Sequence, residues 1–340
     1  MDSLRKMVLT DEKERVSNAI FNWSLGFEKD LNVITLPNNN ADIFVKTIFR
    51  YLKENKKILY ITDEKYNIQL IDSIKRNSEY RKYTYLRNPL NISDSNLVIS
   101  NVETSGELWD KFNLIIYDEI NSIPKYDVKY IVNLVDRLSH SSSKRIFYSI
   151  ESMLPDKKEI ILPVKDNRVP MVEPRDIITR VDMNKDIPYV VYDYLKWSIN
   201  NNRNVLIYVP NEEKVEKVYK YISKYCSDLS GGISFFIKDK SDIKTIMNFC
   251  KKKNAILVTN EFDELPADMN NTDIMVYFAN DEIFSSKILT HLCSRVSRTE
   301  KDSKGEALLV CNEKNDNVEN AKVLARNFNK EAWEMGFLKM

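Results

Sequence analysis

NLIIYDEIN, residues 113 to 121, sets four apolar or aromatic residues in a row, Leu114 to Tyr117, ahead of two adjacent carboxylates, Asp118 and Glu119. A run of that kind reads as a strand buried on both faces, which is the habit of parallel sheets. The paired charge then falls at the strand's carboxyl end, where open parallel sheets hold their ligands. Read by itself, Asp118 is more readily a cap or turn former than a metal ligand.

Outward from this strand the same pattern repeats. LNVITL (31–36), KILYIT (57–62), NLVIS (96–100) and RIFYSI (145–150) are short, β-branched or aromatic runs, separated by amphipathic stretches such as DIFVKTIFRYLKEN and YDVKYIVNLVDRLS. Strand alternating with helix predicts an α/β fold with a parallel sheet covered on both faces. The alternation breaks at LPVKDNRVPMVEPRD, where Pro163, Pro170 and Pro174 crowd together, and resumes with NVLIYV (204–209), GISFFI (232–237), AILVT (255–259), DIMVYFA (273–279) and ALLVC (307–311). The expected organisation is a first lobe over 1–162, a linker over 163–175 and a second lobe over 176–340. Apolar residues at helical spacing from Val318 to Trp333 predict a closing helix.

Composition narrows the function classes. Lys plus Arg number 51 against 50 Asp plus Glu, and the balance holds at 24 to 23 over 1–162 and 24 to 25 over 176–340. Contact with nucleic acid therefore has to come from a local patch. The four cysteines stand singly and there are two histidines, so neither a disulfide framework nor a zinc site is suggested. No apolar run is long enough to span a bilayer and the amino terminus lacks a signal-peptide core, which predicts a cytoplasmic protein with no membrane insertion.

In order along the chain, LTDEKERVSNAIFNW, LNVITLPNNNADIFVKTIF, KKILYITDEKYNIQLI, LIIYDEINSIP, RIFYSIES, the proline-rich linker, NVLIYVPNEEKVEKVYKYI, NAILVTNEFDELPADM and THLCSRVSR follow the motif order of a superfamily 2 helicase core. The chain resembles the ComFA family, the helicase-like ATPases of bacterial DNA uptake, and more distantly PriA. The resemblance implies two RecA-like lobes and Mg-ATP as cofactor where the site is active. Asp118 and Glu119 match the Walker B acids, with Asp118 on Mg²⁺. Arg295 and Arg298 match the paired arginines of the last motif, the second of which stabilises phosphate charge. Thr259, Glu264 and Asp268 match the motif that precedes it.

The same comparison exposes departures. The Walker A loop should lie at Pro37 to Asp42, where the chain has Asn38 and Asn40 for the glycines, Ala41 for the lysine and Asp42 for the metal-binding hydroxyl. A phosphate loop needs glycines so that backbone N–H groups converge, plus a lysine and a hydroxyl. None of the six glycines precedes a lysine, and the Lys46–Thr47 pair falls inside a predicted helix. Asparagine accepts left-handed backbone, so a turn can survive, but it does not replace the lysine. The coupling motif reads Ser149 to Glu151, and Leu265 and Pro266 stand where Arg-Gly is usual.

For nucleic acid, YRKYTYLRN (80–88) interleaves Arg81 and Lys82 with Tyr80, Tyr83 and Tyr85, a composition suited to stacking bases. A half-exposed strand accounts for the same alternation, and that reading is preferred. KYCSDL and CKKKN read as solvated helix ends. The expectation is a ComFA-like protein associated with single-stranded DNA or other nucleic acid and with proteins of the uptake machinery, peripheral to a membrane through them, its ATP hydrolysis weak or lost. The alternatives are an active single-stranded-DNA-stimulated ATPase with an atypical phosphate site, and a non-catalytic two-lobed scaffold.

Overall fold

A computed structural model describes residues 9–64, 68–86, 95–227, 232–263, 265, 269, 271–296 and 305–338. It divides into two units, Met1–Arg168 with Ala332–Met340, and Val169–Glu331. Each is an α/β unit built on one parallel sheet, as the alternation predicts.

The first unit carries strands β1 (Asp30–Thr35), β2 (Ile58–Thr62), β3 (Tyr83–Leu86), β4 (Leu97–Ser100), β5 (Phe112–Asp118), β6 (Ser139–Ser149) and β7 (Lys158–Leu162), in the order β3-β4-β2-β5-β6-β1-β7. Its helices are α1 (Asp11–Leu25), α2 (Val45–Lys53), α3 (Gln69–Asn77), α4 (Val102–Gly106) and α5 (Val128–Arg137). Strand β5 is buried from Leu114 through Asp118, and it lies in the middle of the sheet. Ile131, Leu134 and Val135 of α5 cover Leu59, Ile115, Tyr117 and Phe147 on one face.

The second unit carries β8 (Arg175–Ile178), β9 (Asn204–Tyr208), β10 (Gly232–Phe236), β11 (Ala255–Thr259), β12 (Thr272–Tyr277) and β13 (Ala307–Cys311), in the order β10-β11-β9-β12-β13-β8. Its helices are α6 (Tyr189–Asn200), α7 (Glu212–Cys226), α8 (Lys244–Lys251), α9 (Ser286–Cys293) and α10 (Asp316–Glu334), the last of which runs from Ala332 onward into the first unit's residues. Val215, Val218 and Ile222 of α7 pack on Val205, Ile207, Ile256 and Val258. Strand β8 begins at Arg175, the last residue of the stretch expected to be linker.

The chain's scarcity of glycine has a visible structural consequence. Left-handed backbone is taken by asparagine at Asn38, Asn55, Asn202, Asn254 and Asn271, whose short amide side chain lowers the steric cost of positive φ. Asparagine also caps helices: the side chains of Asn101 and Asn211 accept from the amides of Thr104 and Lys214. Among the described residues no helix is long and apolar enough to cross a membrane.

Candidate functional site

Asp118 closes β5 with its side chain withdrawn from solvent. Its Oδ1 accepts the amides of Ile120 at 2.8 Å and Asn121 at 3.3 Å. Its Oδ2 accepts from the Asn121 amide side chain at 2.8 Å and from the Tyr60 hydroxyl. Four protein donors therefore converge on one carboxylate. Burial raises its pKa, while the bonds from Tyr60, Asn121 and Ile120 pull the other way. Glu119 is equally buried, and its amide donates to the carbonyl of Tyr148 at 2.9 Å. The cap reading of Asp118 and the ligand position at the sheet's carboxyl edge are thus one place.

The loop after β1 lies two strands away, with β6 between. Asn38 has φ of 57° and donates its amide to the carbonyl of Ile120 at 3.0 Å. Asn39 is buried and spans inward, donating to Thr35 Oγ1 at 2.8 Å and to the carbonyl of Val164 at 3.0 Å. Its Oδ1 accepts the amide of Asn40 at 3.0 Å, and Asn40 Oδ1 accepts the amide of Asp42 at 3.1 Å and the Ser73 hydroxyl at 3.0 Å. From β6, the Tyr148 hydroxyl reaches the carbonyls of Asn39 and Asn40 at 3.4 and 3.3 Å. Ala41 is fully buried at the start of a short 3-10 turn.

Asp42 meets a cation that sequence reading did not single out. Lys13 of α1, 2% exposed, places Nζ 3.2 Å from Asp42 Oδ2 and 2.8 Å from Asp166 Oδ1. Burial raises the pKa of Asp42 and the charge of Lys13 opposes that. Beside this pair Arg168 binds Glu12 at 2.7 Å. Lys46 is an α2 residue, its amine on Asn18 Oδ1 at 2.6 Å, and Thr47 is buried next to it.

In the second unit Thr259 ends β11, buried, its Oγ1 accepting the amide of Glu261 at 2.9 Å. Arg295 is 7% exposed and donates through Nη1 to the Tyr208 hydroxyl at 3.0 Å, while its Nε finds no partner among the described residues. Burial raises the Tyr208 pKa, and the neighbouring guanidinium offsets this. Leu265, in the place of the usual arginine, is buried. Glu264, Pro266, Asp268 and Arg298 lie outside the described residues.

Within the aromatic and basic stretch, Tyr83–Leu86 forms strand β3 at the sheet's edge, and residues 80–82 precede it. Arg81 is spent on carbonyls at the end of α3, donating to Ser78 at 3.0 Å and Tyr80 at 2.8 Å. The carbonyl of Lys82 accepts from Ser95 at 2.7 Å, and the Tyr83 ring lies 5.9 Å from Lys75 Nζ.

A magnesium-bound triphosphate asks for open N–H groups, an available cation and a free carboxylate edge. Here the amides of Asn38, Asn40 and Asp42 already donate to protein oxygens, Lys13 faces two carboxylates, and both oxygens of Asp118 are taken. The residues present do not fit that group. Among the described residues no cluster of three or more His, Cys, Asp or Glu is arranged to hold a metal.

No family model matches the chain. Competence protein ComFA of Streptococcus pneumoniae is 21% identical over 262 residues, covering 73% of this chain and 58% of the relative. Among solved structures, RecG bound to a three-way DNA junction superposes with TM-score 0.56 at 14% identity, over 96% of this chain and 46% of that one. Dbp5 of S. cerevisiae, bound to RNA and ADP BeF3, superposes with TM-score 0.57 at 11% identity, over 98% and 99%. The E. coli DExH-box NTPase HrpB gives 0.54 at 12%, over 93% and 43%. The chain is thus similar to ComFA at low identity, and its two α/β units share the fold of the RecA-like lobes in these helicase structures. It spans little more than half the length of ComFA. In this chain Asp118 and Thr259 stand at the carboxyl ends of β5 and β11, and the loop after β1 is filled by its own side chains.

Proposed function

We propose that the chain is a helicase-type protein associated with nucleic acid in DNA uptake or processing, with ATP hydrolysis weak or lost. The observation that carries the loss is the Lys13–Asp42 pair at the loop where a phosphate would sit. A carboxylate there repels phosphate, and the nearest buried ammonium is already neutralised. On this reading Asp118, Glu119, Thr259, Asp268, Arg295 and Arg298 are inherited nucleotide-site positions. The nucleic-acid part is supported by the ComFA similarity and by the fold shared with DNA-bound RecG and RNA-bound Dbp5.

The test is a titration with Mg-ATP, with and without single-stranded DNA, alongside phosphate release. The expected result is no saturable nucleotide binding at millimolar Mg²⁺ and hydrolysis at background, unchanged in Asp118→Asn. Hydrolysis that rises with single-stranded DNA and vanishes in Asp118→Asn would overturn the reading in favour of an active ATPase with an atypical phosphate site.

A further inference from the structure

Among the described residues four strands stand at sheet edges: β3 and β7 in the first unit, β10 and β8 in the second. An open edge pairs with any extended chain that reaches it, and proteins commonly guard it with charge, proline or a covering element. Three of these edges are guarded. Strand β7 opens with Lys158 and Glu159 and packs against α1, and β8 opens with Arg175 and Asp176. Strand β3 follows directly on Arg81 and Lys82, and Lys75 Nζ lies over the Tyr83 ring. Strand β10 reads Gly-Ile-Ser-Phe-Phe, with neither charge nor proline.

Among the described residues the backbone of Gly232–Phe236 pairs only with β11, which leaves the row of N–H and C=O groups on its outer side open. Alternate residues of a strand face opposite sides of the sheet. Ile233 packs on the cluster that holds Val215, Val218 and Ile222 of α7, and the Phe235 ring lies 4.7 Å from that of Tyr219. These two residues therefore face α7. Gly232, Ser234 and Phe236 face the other way, where Lys252, just past α8, lies against Gly232. Phe235 is 39% exposed although it sits within a strand.

A second copy of this chain suits the edge on two counts. The first is register: a five-residue strand pairs with an antiparallel copy of itself over its whole length only about its middle residue, Ser234. Side chains directly opposite in such a pair share a face. Ile233 of each copy then meets Phe235 of the other, a β-branched residue against an aromatic one, and serine meets serine on the axis. The two Lys252 side chains fall at opposite ends of the pair, about 13 Å apart, so they do not repel at close range.

The second count is helix α7. Tyr219 is its central residue, and the contact with Phe235 sets the middle of the helix beside the middle of the strand. Helix α7 packs on both β10 and β11. With strands about 4.8 Å apart, two such helices lie about 10 Å from one another across the axis, the separation at which helices pack. The two-fold makes them antiparallel. Residues 212–216 hold Glu212, Glu213 and Glu216 with Lys214, whereas 217–226 hold Lys217, Lys220 and Lys224 with no acid. Glu213 and Glu212 already meet Lys217 and Lys240 of their own chain, and Glu216, Lys220 and Lys224 are exposed. In the pair the acidic half of each helix runs along the basic half of the other, and the helix dipoles oppose.

We propose that β10 is a self-association edge, at which two copies of the chain pair antiparallel about Ser234. Their six-stranded sheets join into one continuous sheet, with α7 packed on its counterpart. The pairing is independent of the nucleotide and nucleic-acid readings above and uses none of the inherited nucleotide positions.

The experiment is sedimentation equilibrium of the full chain over about 1–100 μM, a span of modest affinities. A two-chain species that grows with concentration is expected. Phe235→Lys sets an ammonium beside the axis and is expected to raise the dimer dissociation constant at least about tenfold, with circular dichroism checking the fold. Ile178→Lys, at an exposed position on the β8 edge, is expected to leave that constant within about twofold. Ser234→Cys is made in a Cys250→Ser background, which removes the exposed native thiol. It is expected to give a disulfide-linked pair of chains on oxidation in air, because facing Cα atoms about 4.5–5.5 Å apart lie within reach of a disulfide. Ile178→Cys in the same background is not. Glu216→Lys and Lys220→Glu/Lys224→Glu are each expected to weaken self-association and, when mixed, to associate more tightly than either does alone. A chain that stays single at every concentration overturns the proposal and leaves the edge to a strand from a different protein. A dimer indifferent to Phe235→Lys, or cross-linking through Ile178→Cys as ready as through Ser234→Cys, overturns it as well.

Discussion

Lys13 of α1 and Asp42 of the loop after β1 form an ion pair of 3.2 Å whose ammonium is 2% and whose carboxylate is 14% exposed. A pair withdrawn this far from water has lost much hydration, so removing one partner costs more than the pair itself contributes. Lys13→Met leaves Asp42 without its cation and is expected to destabilise the first unit by about 3 kcal/mol. Lys13→Met with Asp42→Leu is expected to recover most of that. Urea unfolding followed by tryptophan fluorescence measures both; a double variant as unstable as the single one contradicts the account.

Asp118 gathers its donors from two directions, Tyr60 on β2 and the turn at Ile120 and Asn121. Asp118→Ala orphans the Tyr60 hydroxyl, the backbone amides of Ile120 and Asn121 and the Asn121 side-chain amide, for an expected loss of about 3 kcal/mol. Tyr60→Phe removes a single donor and is expected to cost about 1 kcal/mol. Because the two share a bond, their double variant should be less destabilised than the sum. Strict additivity in that cycle would show that the hydroxyl and the carboxylate do not act on each other.

Glu64 gives the first unit a pH dependence of definite sign. Burial, then the neighbouring Asp118 and Asp72, push its pKa up from 4.5 to about 8, against the amide of Gln69. An acid whose folded pKa lies above its unfolded value binds its proton more tightly in the folded chain. Its stabilising contribution is full below about 4.5 and is lost as pH rises to about 8. Stability of the first unit should therefore fall over that window, and Glu64→Gln should flatten the fall and leave the unit more stable at pH 8. Thermal melts across pH check this, and an unchanged profile in Glu64→Gln refutes it.

The sequence made the central strands legible because β5, β2 and β11 are continuous apolar runs bounded by polar turns, and β3 because Tyr83 to Leu86 alternates. Strands β7 and β8 went unread. Both are sheet edges with exposed residues, KEIIL and RDII, and edges need little hydrophobic periodicity. Asp118 was placed by its strand alone. The cation facing Asp42 could not be, since Lys13 reaches its two acids across 29 and 153 residues of chain, and no local pattern records a tertiary ion pair. Asn32 is a similar case: it sits fully buried within β1, binding the amides of Met153 and Leu154 at 3.1 and 3.2 Å and the carbonyl of Leu154 at 2.9 Å.

Arg203 and Asp273 supply the corresponding test in the second unit. Arg203 Nε donates to Asp273 Oδ1 at 2.7 Å, with side chains 2% and 0% exposed. The same carboxylate accepts the Ser198 hydroxyl at 2.8 Å and the amide of Glu306 at 3.0 Å, so it ties α6, the start of β9, β12 and the approach to β13 together. Arg203→Met strips the only cation found on Asp273 among the described residues, and is expected to cost about 3–5 kcal/mol in the second unit's unfolding transition. Asp273→Asn in the Arg203→Met background removes the buried charge while keeping a side-chain acceptor for Ser198 or Glu306, and should restore part of that loss. The measurement is hydrogen exchange of the β9 and β12 amides, which separates this unit from the first. If Arg203→Met opens the first unit's amides equally, or if the double variant regains nothing, the buried charge is not what the arginine compensates.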